Sequence, residues 1–256
     1  MRMVCVNMRI VVFVGPGASG KTSLTAAFGD WLVRELNADV RIVNLDPAVE
    51  KLPYVPDLDV RELIDFRKLM SEEGLGPNGA MIKAVDMLAG KSRELLNRLR
   101  RLRTDYILVD TPGLSELFLL RDSGPKMIKV FKRVALPLVI YLNDVAVSKS
   151  VSETIVAYLM SLVARLRLDV PVIPVLSKSD LLKRQLKKTF LDEVSSLVEK
   201  TDQGGLLSEL TSELAKILRM YAIPTRMIAV SAVTREGLQS LYSVIHEVFC
   251  ACGDLT

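Results

Sequence analysis

Residues Gly15-Pro16-Gly17-Ala18-Ser19-Gly20-Lys21-Thr22 constrain the fold more than any other stretch of this chain. They fit the pattern G-x-x-x-x-G-K-[ST]. The apolar run Ile10-Val11-Val12-Phe13-Val14 precedes them, and Ser23-Leu24-Thr25-Ala26-Ala27-Phe28 after them reads as a helix. Strand, glycine loop and helix form the setting in which this pattern cradles phosphate. Glycines let successive backbone N–H groups converge on an anion, and the helix N-terminus adds positive potential. Gly15, Gly17, Ala18, Ser19, Gly20 and Ser23 are therefore expected to line the phosphates of a nucleotide. Lys21 is expected to neutralise the outer phosphates and the Thr22 hydroxyl to ligate Mg²⁺. The motif in this setting predicts a nucleoside triphosphate ligand.

Composition narrows the class. The 256 residues suit one α/β domain over 1–256. Half are hydrophobic and a quarter charged, which is ordinary globular usage. The longest apolar runs, such as Val134 to Leu142, reach only about nine residues, too short to span a bilayer. The N-terminal residues lack the apolar core of a secretory signal, and Met1, Met3 and Met8 are each candidate starts. Three cysteines, Cys5, Cys250 and Cys252, argue against a disulfide framework and for a reducing, cytoplasmic setting. The only histidine, His246, sits four residues before Cys250, and a packed terminal helix with spare thiols is favoured there over a metal site. A single histidine also argues against a Ser/His/Asp or zinc hydrolase. The net charge of +4 permits nucleic-acid contact without requiring it. The basic run Arg98 to Arg103 keeps its leucines in helical register with Leu95 and Leu96, so it reads as a solvated helix face.

Along the chain, strands alternate with helices. Strands are predicted at 9–14, 40–45, 106–110, 136–142, 172–176 and 227–230. Helices are predicted at 21–36, 60–70, from about 80 to 102, 125–133, 148–167, across most of 181–222, and from 236 to about 250. Near-continuous apolar strands between helices imply a mostly parallel central sheet covered on both faces. Gly74 to Gly79 reads as a glycine-rich loop within an insertion around 50–80. Residues 181–222 read as a helical insertion before the last strand, with a surface turn at Thr201-Asp202-Gln203-Gly204-Gly205.

Ligands of open α/β sheets sit at the carboxyl ends of the strands. Here those ends carry Asp46, Asp110-Thr111-Pro112-Gly113, Ser177-Lys178-Ser179-Asp180 and Ser231-Ala232. Asp110 is positioned to hold Mg²⁺, and the Gly113 backbone N–H to reach a γ-phosphate. Ser177-Lys178-Ser179-Asp180 resembles the guanine-reading Asn-Lys-x-Asp of GTPases, with Ser177 in place of Asn. A buried carboxylate at Asp180 would accept both N1–H and N2–H₂ of guanine, a donor pair that adenine lacks. Ser231-Ala232 resembles the second base-contacting loop, which offers a backbone N–H to guanine O6.

Together with Leu75-Gly76-Pro77-Asn78-Gly79-Ala80-Met81-Ile82, Val85-Asp86-Met87-Leu88 and Asn44-Leu45-Asp46-Pro47-Ala48, these motifs resemble the GPN-loop GTPases over about 10–250. The compact chain is similar to archaeal members. The resemblance implies a P-loop NTPase fold, GTP hydrolysis to GDP, and a homodimer with two nucleotide sites near the subunit interface. It implies that Asn78 reaches phosphate or attacking water in the partner's site, where an amide can both donate and accept. It assigns Asp46 to positioning the water, through a Mg²⁺ shell, with Gly113 completing the catalytic set. By the same resemblance the client is a protein, RNA polymerase or its assembly machinery. One departure is Leu114, where the family commonly has Gln; an apolar side chain cannot orient water, so hydrolysis is expected to be slow.

Two other readings stay open. A nucleotide-gated scaffold with negligible hydrolysis has Leu114 in its favour. A polynucleotide 5′-kinase would press Arg98 to Arg103 into a substrate groove. A MinD-like membrane ATPase is disfavoured, because Pro16 stands where its extra loop lysine would be.

Overall fold

The computed structural model describes residues 8–145, 151–181, 213, 214 and 228–253. Its sheet has seven strands in the order β3-β2-β4-β1-β5-β6-β7. They are β1 (Arg9–Val14), β2 (Val40–Asn44), β3 (Leu58–Asp59), β4 (Tyr106–Asp110), β5 (Pro137–Asp144), β6 (Val172–Ser177) and β7 (Ile228–Ala229). Every pairing is parallel. A parallel sheet must be covered on both faces. Strand β1 shows how the sequence meets that demand. Ile10, Val12 and Val14 enter the core layer on one face, and Val11 and Phe13 the layer on the other. Each such side chain removed from water stabilises the fold by about 1.5–3 kcal/mol.

One layer holds α1 (Lys21–Leu36) and the last helix, α8 (Leu238–Gly253). Trp31 stacks on Phe28 at 6.1 Å and meets Tyr242 of α8 at 5.5 Å. The His246 ring rests on Tyr242 at 5.8 Å, a packed histidine on a packed helix. Its Nδ1 lies 3.5 Å from Cys250 Sγ, and no group of three or more His, Cys, Asp or Glu side chains placed to hold a metal occurs among the described residues. The other layer holds α2 (Phe66–Glu73), α3 (Pro77–Gly90), α4 (Ser92–Leu99), α5 (Ser115–Leu120), α6 (Ser123–Lys132) and α7 (Val151–Leu168). No described helix is long and apolar enough to cross a membrane.

Several expectations about elements change. The helix predicted at 60–70 is a 3₁₀ turn at Val60–Glu62 and then α2 from Phe66, and α5 was not foreseen. The two-residue strand β3 at the sheet edge escaped the sequence reading, being too short to show an alternation. The predicted glycine loop ends at Gly76. Pro77, Asn78 and Gly79 form the first turn of α3, because proline is preorganised for the first helical position and lacks only an N–H that no helical partner would take. The predicted helix to about 102 is two helices, broken at Lys91. Strand β5 runs two residues further than predicted, through Asn143 and Asp144. The insertion at 182–212 and 215–227, including Thr201 to Gly205, and Met1 to Asn7 with Cys5 lie outside the described residues. Arg98 pairs with Glu62 at 2.8 Å and Glu94 at 3.2 Å, as a solvated, salt-bridged face should.

Candidate active site

Because β1 is central and flanked by β4 and β5, three strand ends converge on one edge of the sheet. The loop after β1 enters α1 through Gly20, whose φ of 88° lies in the left-handed region open to glycine. No side chain caps α1, and its first turn carries no acidic residue. Its N–H groups and positive potential are thus left for an anion. Gly15 is fixed for a different reason: a Cβ there would sit 2.7 Å from the Leu142 carbonyl of β5 and 2.9 Å from Ser19 Oγ. Gly15→Ala is expected to lower the melting temperature by several degrees, a cost of about 1–3 kcal/mol for overpacking against backbone. A thermal melt checks this, and an unchanged midpoint would mean that the loop is looser than its contacts imply.

The Lys21 ammonium is buried and donates to the carbonyls of Gly15 at 2.8 Å and Pro16 at 2.7 Å. It also lies close enough to Asp46 and Asp110 to lower the pKa of both. Burial nevertheless wins at Asp110, which is fully enclosed and whose pKa is pushed up to about 6. The Tyr54 and Thr22 hydroxyls and Lys21 pull it back, and Asp46 adds to the rise. Burial likewise raises Asp46, against the N–H groups of Ala48, Gly113 and Val49. The Gly113 N–H, expected to reach a γ-phosphate, is thus directed at Asp46. Gly113 also packs against Gly17, bringing the loops after β4 and β1 together.

Four buried side-chain atoms among the described residues have no hydrogen-bond partner, and three lie along this edge: Ser19 Oγ, Asp110 Oδ1 and Ser179 Oγ. Orphaned polar atoms are costly, so their concentration here marks a place built for a ligand. Two carboxylates with raised pKa values beside a threonine hydroxyl form an all-oxygen donor set, which fits a hard divalent cation.

On the other side of the loop, Lys178 has a φ of 59° and its stem lies over Gly20. Its ammonium is held by Asp144 at 2.7 Å. Ser177 donates to the Asn143 carbonyl at 3.2 Å, so the serine in place of asparagine still ties β6 to β5. Asp180 accepts from Ser231 Oγ at 2.5 Å, while Ser231 Oγ accepts from the N–H groups of Val233 and Thr234. The two loops expected to read a base therefore meet, with Ala232 beside them. The expectation of a buried carboxylate at 180 is corrected: Asp180 is exposed, because it sits in a short turn after β6 at the open rim of the sheet.

The chain is similar to known proteins. A protein-family profile described as a conserved hypothetical ATP binding protein matches residues 13–251. The GPN-loop GTPase PAB0955 of Pyrococcus abyssi is 38% identical over 96% of this chain and 100% of its own length. This chain belongs to the GPN-loop GTPase family. GPN-loop GTPase 2 of Schizosaccharomyces pombe is 31% identical, over 94% of this chain and 79% of its own length. The crystal structure of PAB0955, a GTPase in apo form, superposes with a TM-score of 0.85 at 36% identity, covering 95% of this chain and 98% of that one. The Gly-Pro-Asn run for which the family is named lies at 76–78, with Asn78 exposed. Leu114, half-exposed, immediately precedes α5.

Several site residues were not foreseen. Asn44 is fully buried and organises the loop after β2. Its Nδ2 donates to the Asp46 carbonyl at 3.1 Å and to Asp59 Oδ1 at 3.0 Å, and its Oδ1 accepts from the Asp46 N–H at 3.0 Å. Arg61 grips the same Asp59 through two nitrogens. Tyr54 donates to Asp110 Oδ2 at 2.8 Å. For Asn143 and Asp144 a signal existed, since they too stand at a strand's carboxyl end. For Tyr54 there was none, because nothing local announces a contact 56 residues away.

Proposed function

We propose that this chain is a slow, GTP-selective hydrolase that works as a Mg²⁺-dependent homodimeric switch. The observation that carries the reading is the junction of the two halves of the site. The stem of Lys178, from the segment resembling a guanine-reading motif, lies over Gly20 of the phosphate loop, while Asp180 of the same segment joins Ser231. A guanine nucleotide spanning that junction would set its base against Asp180 and its phosphates against Gly15 to Ser23. Lys21 would turn from the loop carbonyls toward the phosphates, exchanging neutral acceptors for charged ones. Thr22, Asp110 and, through its hydration shell, Asp46 are the residues that would hold Mg²⁺. Bound there, the cation would neutralise charge on the β- and γ-phosphate oxygens.

Asp46 is half-buried and oriented by Asn44 and Ala48, which supports a role in accepting a hydrogen bond from an attacking water. Phosphoryl transfer gains most from such positioning, and Leu114 contributes nothing to it, which supports slow turnover. The exposure of Asn78 on the first turn of α3 supports action in the partner's site. The output would be capture of a protein client, RNA polymerase being the one that family resemblance suggests.

Steady-state hydrolysis of GTP and ATP with Mg²⁺, across a range of protein concentrations, tests the whole reading. GTP-selective turnover whose specific activity rises with concentration is expected. Tight GTP binding without turnover would favour the scaffold reading instead. The trans role has its own test. Asn78→Ala alone is expected to lower turnover with little loss of GTP affinity, and Lys21→Ala alone to lose triphosphate binding. Mixed, they should regain up to about a quarter of the wild-type rate, because half of the dimers in a random mixture hold one complete site. Mixing that restores nothing would remove Asn78 from the partner's site.

A further inference from the structure

The loop between β2 and β3 is held in an unusual way. None of residues 51–57 is buried, and Val55 is 89% exposed, so apolar packing contributes little to its position. Its ends are pinned. At one end Arg61 donates to the Val49 carbonyl at 3.1 Å. At the other, Asp57 and Ile42 exchange hydrogen bonds of 2.8 Å. Between them, among the described residues, the only hydrogen bond made by 51–56 runs from the Tyr54 hydroxyl to Asp110 Oδ2.

That single bond reaches the most enclosed carboxylate of the site. The two oxygens of Asp110 are thereby differentiated: Oδ2 accepts from Tyr54 at 2.8 Å, Oδ1 is buried with no hydrogen-bond partner, and the Thr22 hydroxyl stands near the same carboxylate. A carboxylate rotating freely between two equivalent oxygens presents neither of them reliably. One anchored through Oδ2 presents Oδ1. Partners of this kind, one shell out from a metal, orient the ligand and commonly alter affinity by about 10–100-fold when removed.

We infer that Tyr54 is a positioning residue: its hydroxyl ties residues 51–56 to Asp110 and aims Oδ1 at the divalent cation. The inference rests on the metal role proposed above for Asp110. It adds a coupling, because the loop that begins at Asp46 cannot lift away without releasing the carboxylate. Loop order and cation affinity are then one equilibrium read at two places, and each must respond to the other.

Tyr54→Phe keeps the ring and removes only the donor. Release of a fluorescent GDP analogue from wild type and variant is measured across a Mg²⁺ series and in chelator, alongside amide hydrogen exchange at Ala48 and Val49. In the variant, the Mg²⁺ concentration that half-maximally slows release should rise about tenfold. The Ala48 and Val49 amides, which donate to Asp46, should exchange faster, while GDP affinity in chelator stays unchanged. A thermal melt within a few degrees of wild type shows that the fold is kept. If Mg²⁺ slows release equally in both proteins, or exchange at Ala48 and Val49 does not change, the positioning role is overturned while the metal reading stands. If Mg²⁺ fails to slow release from wild type, the metal reading falls and the role of Tyr54 falls with it. A loss of GDP affinity in chelator would instead make Tyr54 part of the nucleotide pocket and would also overturn the inference.

Discussion

Lys21→Ala is expected to abolish GTP binding at micromolar concentrations. Lys21 is the buried cation of the phosphate loop, and with a triphosphate present it would face two anionic groups. Charge-assisted hydrogen bonds contribute about 1.5–3 kcal/mol each. Losing two of them lowers affinity by about a hundred- to ten-thousand-fold. The fold should survive, since the hydrogen bonds to the Gly15 and Pro16 carbonyls lie within one loop and the cation that Asp46 and Asp110 lose can be replaced by a proton on a carboxylate whose pKa is already raised. Titration of a fluorescent GTP analogue, with a thermal melt as control, measures both quantities. A folded variant that keeps wild-type affinity would remove the phosphate-loop assignment.

Asp180→Asn is expected to turn guanine preference toward xanthine. A carboxylate accepts from both N1–H and N2–H₂ of guanine, whereas an amide can accept one proton and must donate the other. Against guanine its NH₂ meets a donor; against xanthine it meets the C2 carbonyl. Hydrogen-bond mismatches of this kind shift affinity by about 1–3 kcal/mol for each base. GTP binding should therefore weaken by up to about a hundredfold and XTP binding strengthen comparably. Competition of GTP and XTP for the same labelled nucleotide gives the ratio directly. The exposure of Asp180 helps the design, because the change leaves no unpaired group in the core. Its bond to Ser231 is lost or weakened, so the melt is again the control. An unaltered GTP preference would mean that the base is read elsewhere.

Legibility followed the range of the interactions. The phosphate loop was readable because its chemistry is local: strand, glycines, lysine, threonine and helix are consecutive, and φ demands such as that of Gly20 act on single residues. Strand β4 was predicted at Tyr106–Asp110, as found, because five buried apolar or terminal residues in a row admit few alternatives. The first turn of α3 was misread as loop because glycine on both sides of Pro77 outweighed, in a local reading, the proline that starts a helix. The residues expected to read guanine were visible as Ser177 to Asp180, but the exposure of Asp180 was not, since accessibility depends on what stands opposite.

The sequence by itself determined the phosphate loop, the layered parallel architecture and the kinship with GPN-loop GTPases, because each is written in consecutive residues or in a repeating apolar pattern. Only the tertiary structure decided which strand ends share the site. Placing β1 between β4 and β5 puts Asp110 and Asn143-Asp144 at strand ends on opposite sides of β1. It also decided that Asn44 would organise Asp46 and that Tyr54 would hold one oxygen of Asp110 while leaving the other without a partner. Those relations join residues far apart in the chain, and they arise when the buried polar groups at one sheet edge must find partners, which no local pattern encodes.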